Sequence, residues 1–329
     1  EGPKTGELAS LDTWDKFYRA FAEQTKFIVK KMVDVYEMSE MIRARYNPTP
    51  YLSTLVKGCA EQGLDVTQGG AELSYTTMEG VTFATTVDSL LAVKYLVYDK
   101  KECSLEALVQ ALKDNWQGHE ILQSKALHRA PKFGRDDDEA DAFALKVMQL
   151  WAGEVWKHKT KSTNRQFRPG MLSWNYWIGA GYILKASANG RTENQFLSNA
   201  ICPSNGADLN GPTANSNSVG IALGGKTDCG EYVNILPNGA SHTITFNASL
   251  VRSEEHKAKL KSFLKGYTEN GGTALQINML DPEVLKDAQA HPSEYRHLLV
   301  RVTGYNAYFT SIGKELQDEI IARESHLQY

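Results

Sequence analysis

The sequence predicts an α/β chain in which strands are separated by helices, and three observations carry that reading. Apolar residues repeat at helical spacing through several long windows. Short segments of alternating or aromatic character stand between them. The composition is ordinary for a globular protein, with 42% hydrophobic and 23% charged residues among 329, and it is unlike that of a disordered chain. At about 100–200 residues per domain, the length allows one large domain or two intimate ones.

The elements follow in order. Residues 12–46 read as one long amphipathic helix, with Trp14, Phe17, Phe21, Ile28, Met32 and Val35 at helical spacing. Asn47-Pro48-Thr49-Pro50 stops it. A shorter helix covers 51–62, the turn Gln68-Gly69-Gly70-Ala71 follows, and Glu72–Thr77 reads as a strand. Helices are predicted over 84–97, 104–128 and 138–158. The run Arg135-Asp136-Asp137-Asp138-Glu139 reads as a helix entry, where carboxylates suit the N-terminal dipole. From 168 to 245, Gly, Asn, Ser, Thr and Pro dominate. This stretch is no single regular element and is too long for an ordinary loop, so it needs a scaffold and is placed to line a site. A helix returns at 253–269, with Phe263 and Leu264 on its buried face, and a strand at Ala274–Leu280. Asp281-Pro282-Glu283 opens the next helix, with Asp as N-cap and Pro in the first turn. His297–Val302 is a strand, Gly304 sits in the turn after it, and a last helix covers 313–324.

Several function classes are excluded. The net charge of −3 leaves no electrostatic footprint for nucleic acid or an anionic membrane. The longest apolar run, Ser89–Tyr98, is interrupted by Lys94 and is far short of the roughly 20 residues of a spanning helix. Cys59, Cys103, Cys202 and Cys229 have neither CxxC nor zinc-ribbon spacing, so reduced thiols and a cytoplasmic location are expected. The chain opens on a glutamate with no secretory signal after it, and it is expected to begin inside a longer polypeptide.

Some patterns carry less than they promise. Gly220-Ile-Ala-Leu-Gly224-Gly225-Lys226-Thr227 fits a P-loop, but no apolar strand precedes it, and Gly230 and Pro237 prevent a long helix after it. Asn247-Ala248-Ser249 is a glycosylation sequon without a signal peptide. The eight histidines lack HxxxH or HExxH spacing, so no metal site is expected, and His242 reads as structural. Asp136, Asp137, Asp138 and Asp141 read as a solvated helix start rather than a metal cluster. Cys59 and Glu61 point to different faces of a helix, which makes Cys59 an inert thiol rather than a nucleophile.

The tail differs in kind. Arg301-Val302-Thr303-Gly304-Tyr305-Asn306-Ala307-Tyr308-Phe309 sets a lone glycine after an apolar strand, in an aromatic segment. The string resembles the C-terminal signature of the glycyl radical enzymes, the family that includes pyruvate formate-lyase. Other blocks agree in order: Gly58-Cys59-Ala60-Glu61-Gln62-Gly63, Asp65-Val66-Thr67-Gln68-Gly69-Gly70-Ala71, Val87-Asp88-Ser89-Leu90, Ala130-Pro131-Lys132-Phe133-Gly134, Gly211-Pro212-Thr213-Ala214, Gly271-Gly272-Thr273-Ala274-Leu275-Gln276-Ile277-Asn278 and Leu316-Gln317-Asp318-Glu319. The chemistry explains the residue type. A radical on an α-carbon is stabilised when that carbon is planar and conjugated with both flanking amides, and only glycine lacks a Cβ to crowd that plane. Burial from oxygen and water would suit Tyr305, Tyr308 and Phe309.

The resemblance implies an α/β fold: the C-terminal portion of the large glycyl radical enzyme barrel, with the glycyl radical loop inserted toward the barrel centre. Residues 1–200 would be the second half of the barrel and 201–329 the glycyl radical domain. Gly304 would store the radical after a radical-SAM activating enzyme removes a hydrogen atom, and no bound cofactor is implied. In the family the radical passes to a cysteine on an opposing loop. Cys59 lies 245 residues (304 − 59) before Gly304, too close for that cysteine, which would fall before residue 1. The chain would therefore need an N-terminal part or partner chain carrying the thiyl cysteine. Unpaired strand edges of a half barrel recruit other strands, which makes a homo-oligomer expected.

A glutamate after the Gly-Gly-Ala turn, in Glu72-Leu73-Ser74-Tyr75, resembles the arylacetate decarboxylases, as do Thr85–Leu91, Phe167–Trp177 and Leu197–Pro203. Some of those enzymes carry a small iron–sulfur subunit. Decarboxylation needs a phenol or indole proton managed, and a buried carboxylate of raised pKa does this, so Glu72 is the candidate general base. Trp174, Tyr176 and Trp177 suit either an aromatic substrate or core packing. Other glycyl radical lyases, dehydratases or carbon-adding synthases, and a non-catalytic spare radical subunit, are the alternatives.

Overall fold

A computed structural model describes residues 2–225, 231, 233, 235–323 and 325–326. Helix α1 (Trp14–Tyr46) is capped by Thr13, whose side chain accepts from the Lys16 amide, and carries Asp15 in its first turn and Arg43 and Arg45 in its last. The expected helix is present, but the buried line is not the expected one. Ile28, Met32 and Val35 are exposed, whereas Val29 and Val33 are buried. One residue is a 100° rotation about the axis, and the buried side packs on Met78, Val155 and Phe167, with Tyr36 and Trp151 beside them. The predicted 51–62 helix is two, α2 (Pro50–Leu55) and α3 (Cys59–Gln62). The Asp65 carboxylate ties this region together: it accepts from Ser53 Oγ at 2.7 Å, Thr67 Oγ1 at 2.6 Å and the Thr49 amide at 3.0 Å. Strand β1 (Tyr75–Gly80) starts three residues later than Glu72, because Glu72–Ser74 form the turn into it.

Helix α4 (Phe83–Val93) runs into a π turn over Lys94–Asp99. The predicted 104–128 helix breaks into α5 (Leu105–Lys113) and α6 (Glu120–His128). Between them Asn115 and Trp116 take positive φ, and Trp116, 1% exposed, donates its indole N–H to the Arg191 carbonyl at 3.3 Å. Burying one tryptophan outweighs continuing the helix. Helix α7 (Asp138–Trp156) and strand β2 (Gln166–Met171) follow, the latter paired with β1.

The 168–245 stretch is less irregular than its composition. It holds α8 (Tyr176–Ile183), α9 (Gly211–Ala222) and β3 (Ser241–Phe246). Helix α9 buries Asn215, Ser216 and Ser218 beside Val219, so hydrophobic periodicity has nothing to report there. Next come α10 (Glu254–Glu269), β4 (Ala274–Met279), α11 (Pro282–Ala290), β5 (Leu299–Arg301), β6 (Asn306–Tyr308), α12 (Lys314–Ala322) and β7 (Ser325–His326). Strand β3 lies between β4 and β7, parallel to both, with Ser241 opposite Ala274 and Phe246 opposite Met279. Strands β5 and β6 form an antiparallel hairpin.

The chain divides into two compact units that interleave along the sequence. One is built from residues up to 78 with 149–170 and 236–238, the other from 79–148, 171–235 and 239 onward. Trp177, Leu197, Leu285, Val300, Val302, Phe309, Leu316 and Ile320 form a core cluster of the second unit. Among the described residues no helix is long and apolar enough to cross a membrane.

Candidate functional site

Gly304 lies at the tip of the β5–β6 hairpin, where the Val302 amide donates to the Tyr305 carbonyl at 3.0 Å. Its φ is +78°, the left-handed region that costs an L-residue about 1–2 kcal/mol. Among the described residues nothing lies within 4 Å of the position where a Cβ would stand. Glycine is therefore favoured here by backbone conformation, not by lack of room. The expected apolar burial is only partly present. Phe309 is fully buried, but Tyr305 is 39% and Tyr308 52% exposed, and Gly304 itself is exposed. Val300, Val302 and Phe309, on either side of the tip, belong to the core cluster.

What holds this tip is polar. Gln276 and Asn278 sit two apart on β4 and so share a face. Gln276 Oε1 accepts from the Gly304 amide at 2.8 Å. Asn278 bonds Arg301 both ways, accepting from its amide at 2.9 Å and donating to its carbonyl at 3.0 Å. Arg323, just past α12, donates to the carbonyls of Arg301 and Val302, both at 3.1 Å, and pairs with Glu319 at 2.8 Å. Gln276, Asn278, Glu319 and Arg323 are each at most 8% exposed. Sequence reading marked none of them with a role. The signal was there in two amide residues at alternate positions of an apolar strand, and an acid and a base four apart on a helix.

A second buried polar group lies behind β3. His242 is fully buried and its Nε2 faces Asn215 Oδ1 at 2.8 Å. Asn215 donates to Asp208 at 2.9 Å, and His326 lies 3.4 Å from the same carboxylate. Burial pushes the His242 imidazole down to about 3, so it is neutral. Cys202 is also buried there, and its thiol is pushed up to about 11 by desolvation.

Glu72 is set differently. Gly58 (φ +97°) approaches so closely that a Cβ would lie 2.5 Å from the Glu72 nitrogen, and the Glu72 amide donates to the Lys57 carbonyl at 2.9 Å. The backbone is fixed, but the side chain is 52% exposed and pairs with Lys57 at 2.8 Å. The buried setting expected around this carboxylate is absent in the structure, because the turn carries the side chain outward.

The remaining candidates resolve as follows. Cys59 is 3% exposed, and Glu61 is occupied in capping the Gly58 amide at 2.9 Å, so the two form no nucleophile–base pair. Cys59, Cys103 and Cys202 are unbridged, and Cys229 lies outside the described residues. Gly220 is inside α9, so no strand precedes the P-loop-like string, whose Lys226 and Thr227, like Gly230, lie outside the described residues. Asn247 Oδ1 accepts from the Ser249 amide at 3.0 Å, a local turn. Asp141 corrects the reading of a solvated acidic run. It is 1% exposed, bonded to Ser218 at 2.9 Å, and pushed up to about 6 by burial and by Asp136, Asp137 and Asp138 nearby. Its place one turn into α7 turns it inward. Trp177 is core, while Trp174 and Tyr176 are exposed and meet edge-on at 6.2 Å. Among the described residues no group of three His, Cys, Asp or Glu is placed to hold a metal ion. A cavity of about 380 Å³ in the second unit is lined by Asp88, Lys132, Arg191 and Ser204, and neither Gly304 nor Glu72 lines it.

Residues 1–181 match the family model described as pyruvate formate lyase-like, and residues 197–310 match that described as glycine radical. The chain is 33% identical to trans-4-hydroxy-L-proline dehydratase of Clostridioides difficile over 98% of its own length and 39% of the relative's. It is 32% identical to isethionate sulfite-lyase of Nitratidesulfovibrio vulgaris, over 99% and 38%. The glycyl radical subunit of 4-hydroxyphenylacetate decarboxylase from C. difficile is 25% identical, over 96% and 36%. The glycerol-bound B12-independent glycerol dehydratase from Clostridium butyricum superposes with a TM-score of 0.93 at 32% identity, over 99% of this chain and 40% of that one. The chain thus spans about two fifths of the length of these relatives.

Proposed function

The chain belongs to the glycyl radical enzyme family, and from that we propose that it is the radical-storing part of a glycyl radical lyase, with Gly304 as the carrier. The observation that carries this reading is the Gly304 tip: a glycine at φ +78° whose amide and flanking carbonyls are gripped by Gln276, Asn278 and Arg323. In this proposal residues 1–200 belong to the barrel and 201–329 form the glycyl radical domain. A radical-SAM enzyme installs the radical at the exposed tip. An N-terminal part carrying the thiyl cysteine supplies the rest of the barrel and covers the tip from oxygen and water.

For the reaction, elimination of water or sulfite from a small substrate is favoured over decarboxylation. Support comes from the dehydratase and sulfite-lyase relatives at 32–33% identity. In such a lyase the thiyl takes a hydrogen atom from a substrate carbon bearing a hydroxyl or amine, that group gives up a proton as the neighbouring carbon loses hydroxide or sulfite with the bonding electron pair, and the thiol returns the hydrogen atom to the product radical. The second reading is decarboxylation of an arylacetate, 4-hydroxyphenylacetate to p-cresol or indoleacetate to skatole, with Glu72 handling the substrate proton. It rests on the Gly69-Gly70-Ala71-Glu72 string and the 25% relative.

The test is anaerobic. The chain is combined with its N-terminal part and a radical-SAM activase, examined by EPR with unlabelled and α-deuterated glycine, and then given a diol, trans-4-hydroxy-L-proline, isethionate and arylacetates. A doublet that collapses on deuteration and turnover of a hydroxy or sulfonate substrate support the first reading. Arylacetate turnover that Glu72→Gln abolishes supports the second. No doublet in a folded complex with competent activase overturns both.

A further inference from the structure

We propose that Gln276 is a positioning residue for the radical loop, its side-chain carbonyl fixing the plane of the Gly304 amide. This rests on Gly304 being the radical carrier. Within this chain Gly304 is exposed, and among the described residues nothing lies within 4 Å of where its Cβ would stand. The contact on the residue's own N–H is Gln276 Oε1, at 2.8 Å. Gln276 is itself 8% exposed and anchored, since its Nε2 donates to Ser241 Oγ, and Ser241 lies 3.5 Å from Thr303 Oγ1. The amide orientation is self-consistent. A backbone N–H needs an acceptor, which puts Oε1 toward Gly304 and leaves Nε2 for the hydroxyl.

The chemistry makes that bond matter. Once the α-hydrogen has left as a hydrogen atom, spin delocalises onto Gly304's own nitrogen only as far as the amide plane aligns with the plane of the α-carbon. Alignment is best at φ near 180° and is nearly lost at the observed +78°. Delocalisation into the nitrogen therefore requires rotation about N–Cα. The group holding the N–H in place against that rotation is Gln276. It limits how far this stabilising conjugation develops and so leaves more of the spin density on the α-carbon, which is the atom that must exchange hydrogen with its partner thiol.

Three measurements test this. In the wild-type chain, NMR should detect scalar coupling across the hydrogen bond between the Gly304 amide nitrogen and the Gln276 side-chain carbonyl. Its absence overturns the assignment without any variant. In Gln276→Leu, exchange protection of the Gly304 amide should fall by about tenfold or more. In the activated complex, the α-proton splitting of the EPR doublet should narrow. Gln276→Glu retains an acceptor oxygen and should restore both protection and splitting, which general destabilisation would not do. A wild-type doublet unchanged in Gln276→Leu overturns this role alone. A wild-type complex with no doublet overturns the radical reading and this role with it, while the NMR coupling still reports on the bond.

Discussion

The Gly304 loop and the Glu72 turn are both glycine-dependent bends beside short strands, yet they are held in opposite ways. Around Gly304, the proposed radical carrier, the backbone itself would be the functional group, and buried polar side chains reach the loop from β4, with Gln276 and Asn278, and from just past α12, with Arg323 paired to Glu319. Around Glu72, the base of the second reading, the functional group would be a side chain. Its backbone is fixed by the close approach of Gly58, but its carboxylate meets only Lys57, at the surface. The groups that hold the Gly304 backbone come from within the chain. A side-chain base on an exposed turn becomes a desolvated base only when something else covers it.

The largest effect that would break this comparison is at Gly304. Gly304→Ala should abolish the EPR doublet while costing about 1–2 kcal/mol of stability, because a Cβ there meets open space but the left-handed backbone disfavours alanine. A doublet surviving in Gly304→Ala would move the carrier elsewhere. Next is the support beneath the loop. Arg323→Leu leaves Glu319, 1% exposed, as an unpaired buried charge, and should lose about 3–5 kcal/mol in urea unfolding. A loss below about 1 kcal/mol would mean the clamp contributes little to the fold.

The third effect is a pH dependence with two opposing parts. The His242 imidazole is depressed to about 3 in the folded chain, so its contribution is lost as pH falls from its unfolded value near 6.5 toward 3. The Asp141 carboxyl is raised to about 6, so the folded state holds its proton longer, and stability falls as pH rises from about 4 to 6. Each contributes a slope of at most about 1.4 kcal/mol per pH unit, of opposite sign, and they largely offset between pH 4 and 6. Asp141→Asn removes the falling part. Urea unfolding should then show stability rising more steeply from pH 4 to 6 than in the parent chain, and an unchanged slope would contradict the raised carboxyl. The smallest effect is at the turn. Glu72→Gln should change stability by no more than about 0.5 kcal/mol, because an exposed ion pair contributes little. A larger loss would show that the turn is more tightly built than its exposure indicates.

Much of the fold is legible along the chain because local signals agree. Thr13, Ser104 and Asp281 cap the helices they precede, and the helices after Ser253 and Asp281 fall where periodicity and Pro282 put them. The misses have physical causes. α9 and β3 bury Asn215, Ser218, Ser241 and His242, and a buried polar residue looks like a loop residue until its partner is known. The break between α5 and α6 depends on where Trp116 is buried, which lies outside its own window. On α1 the sequence offers two adjacent apolar lines, and only the packing of Met78 and Phe167 selects Val29 and Val33.

The candidate site divides the same way. Gly304 and its aromatic neighbours are contiguous, so sequence alone determined the family and where the proposed radical carrier stands. The chemistry needs one residue type at one place, and that is written in a single string. Tertiary structure decided what holds that glycine, how exposed it is, and that Glu72 meets solvent and Lys57. Those properties depend on residues 28 (304 − 276) and 15 (72 − 57) positions away in the chain, and distance along a sequence says nothing of distance in space until the chain has folded.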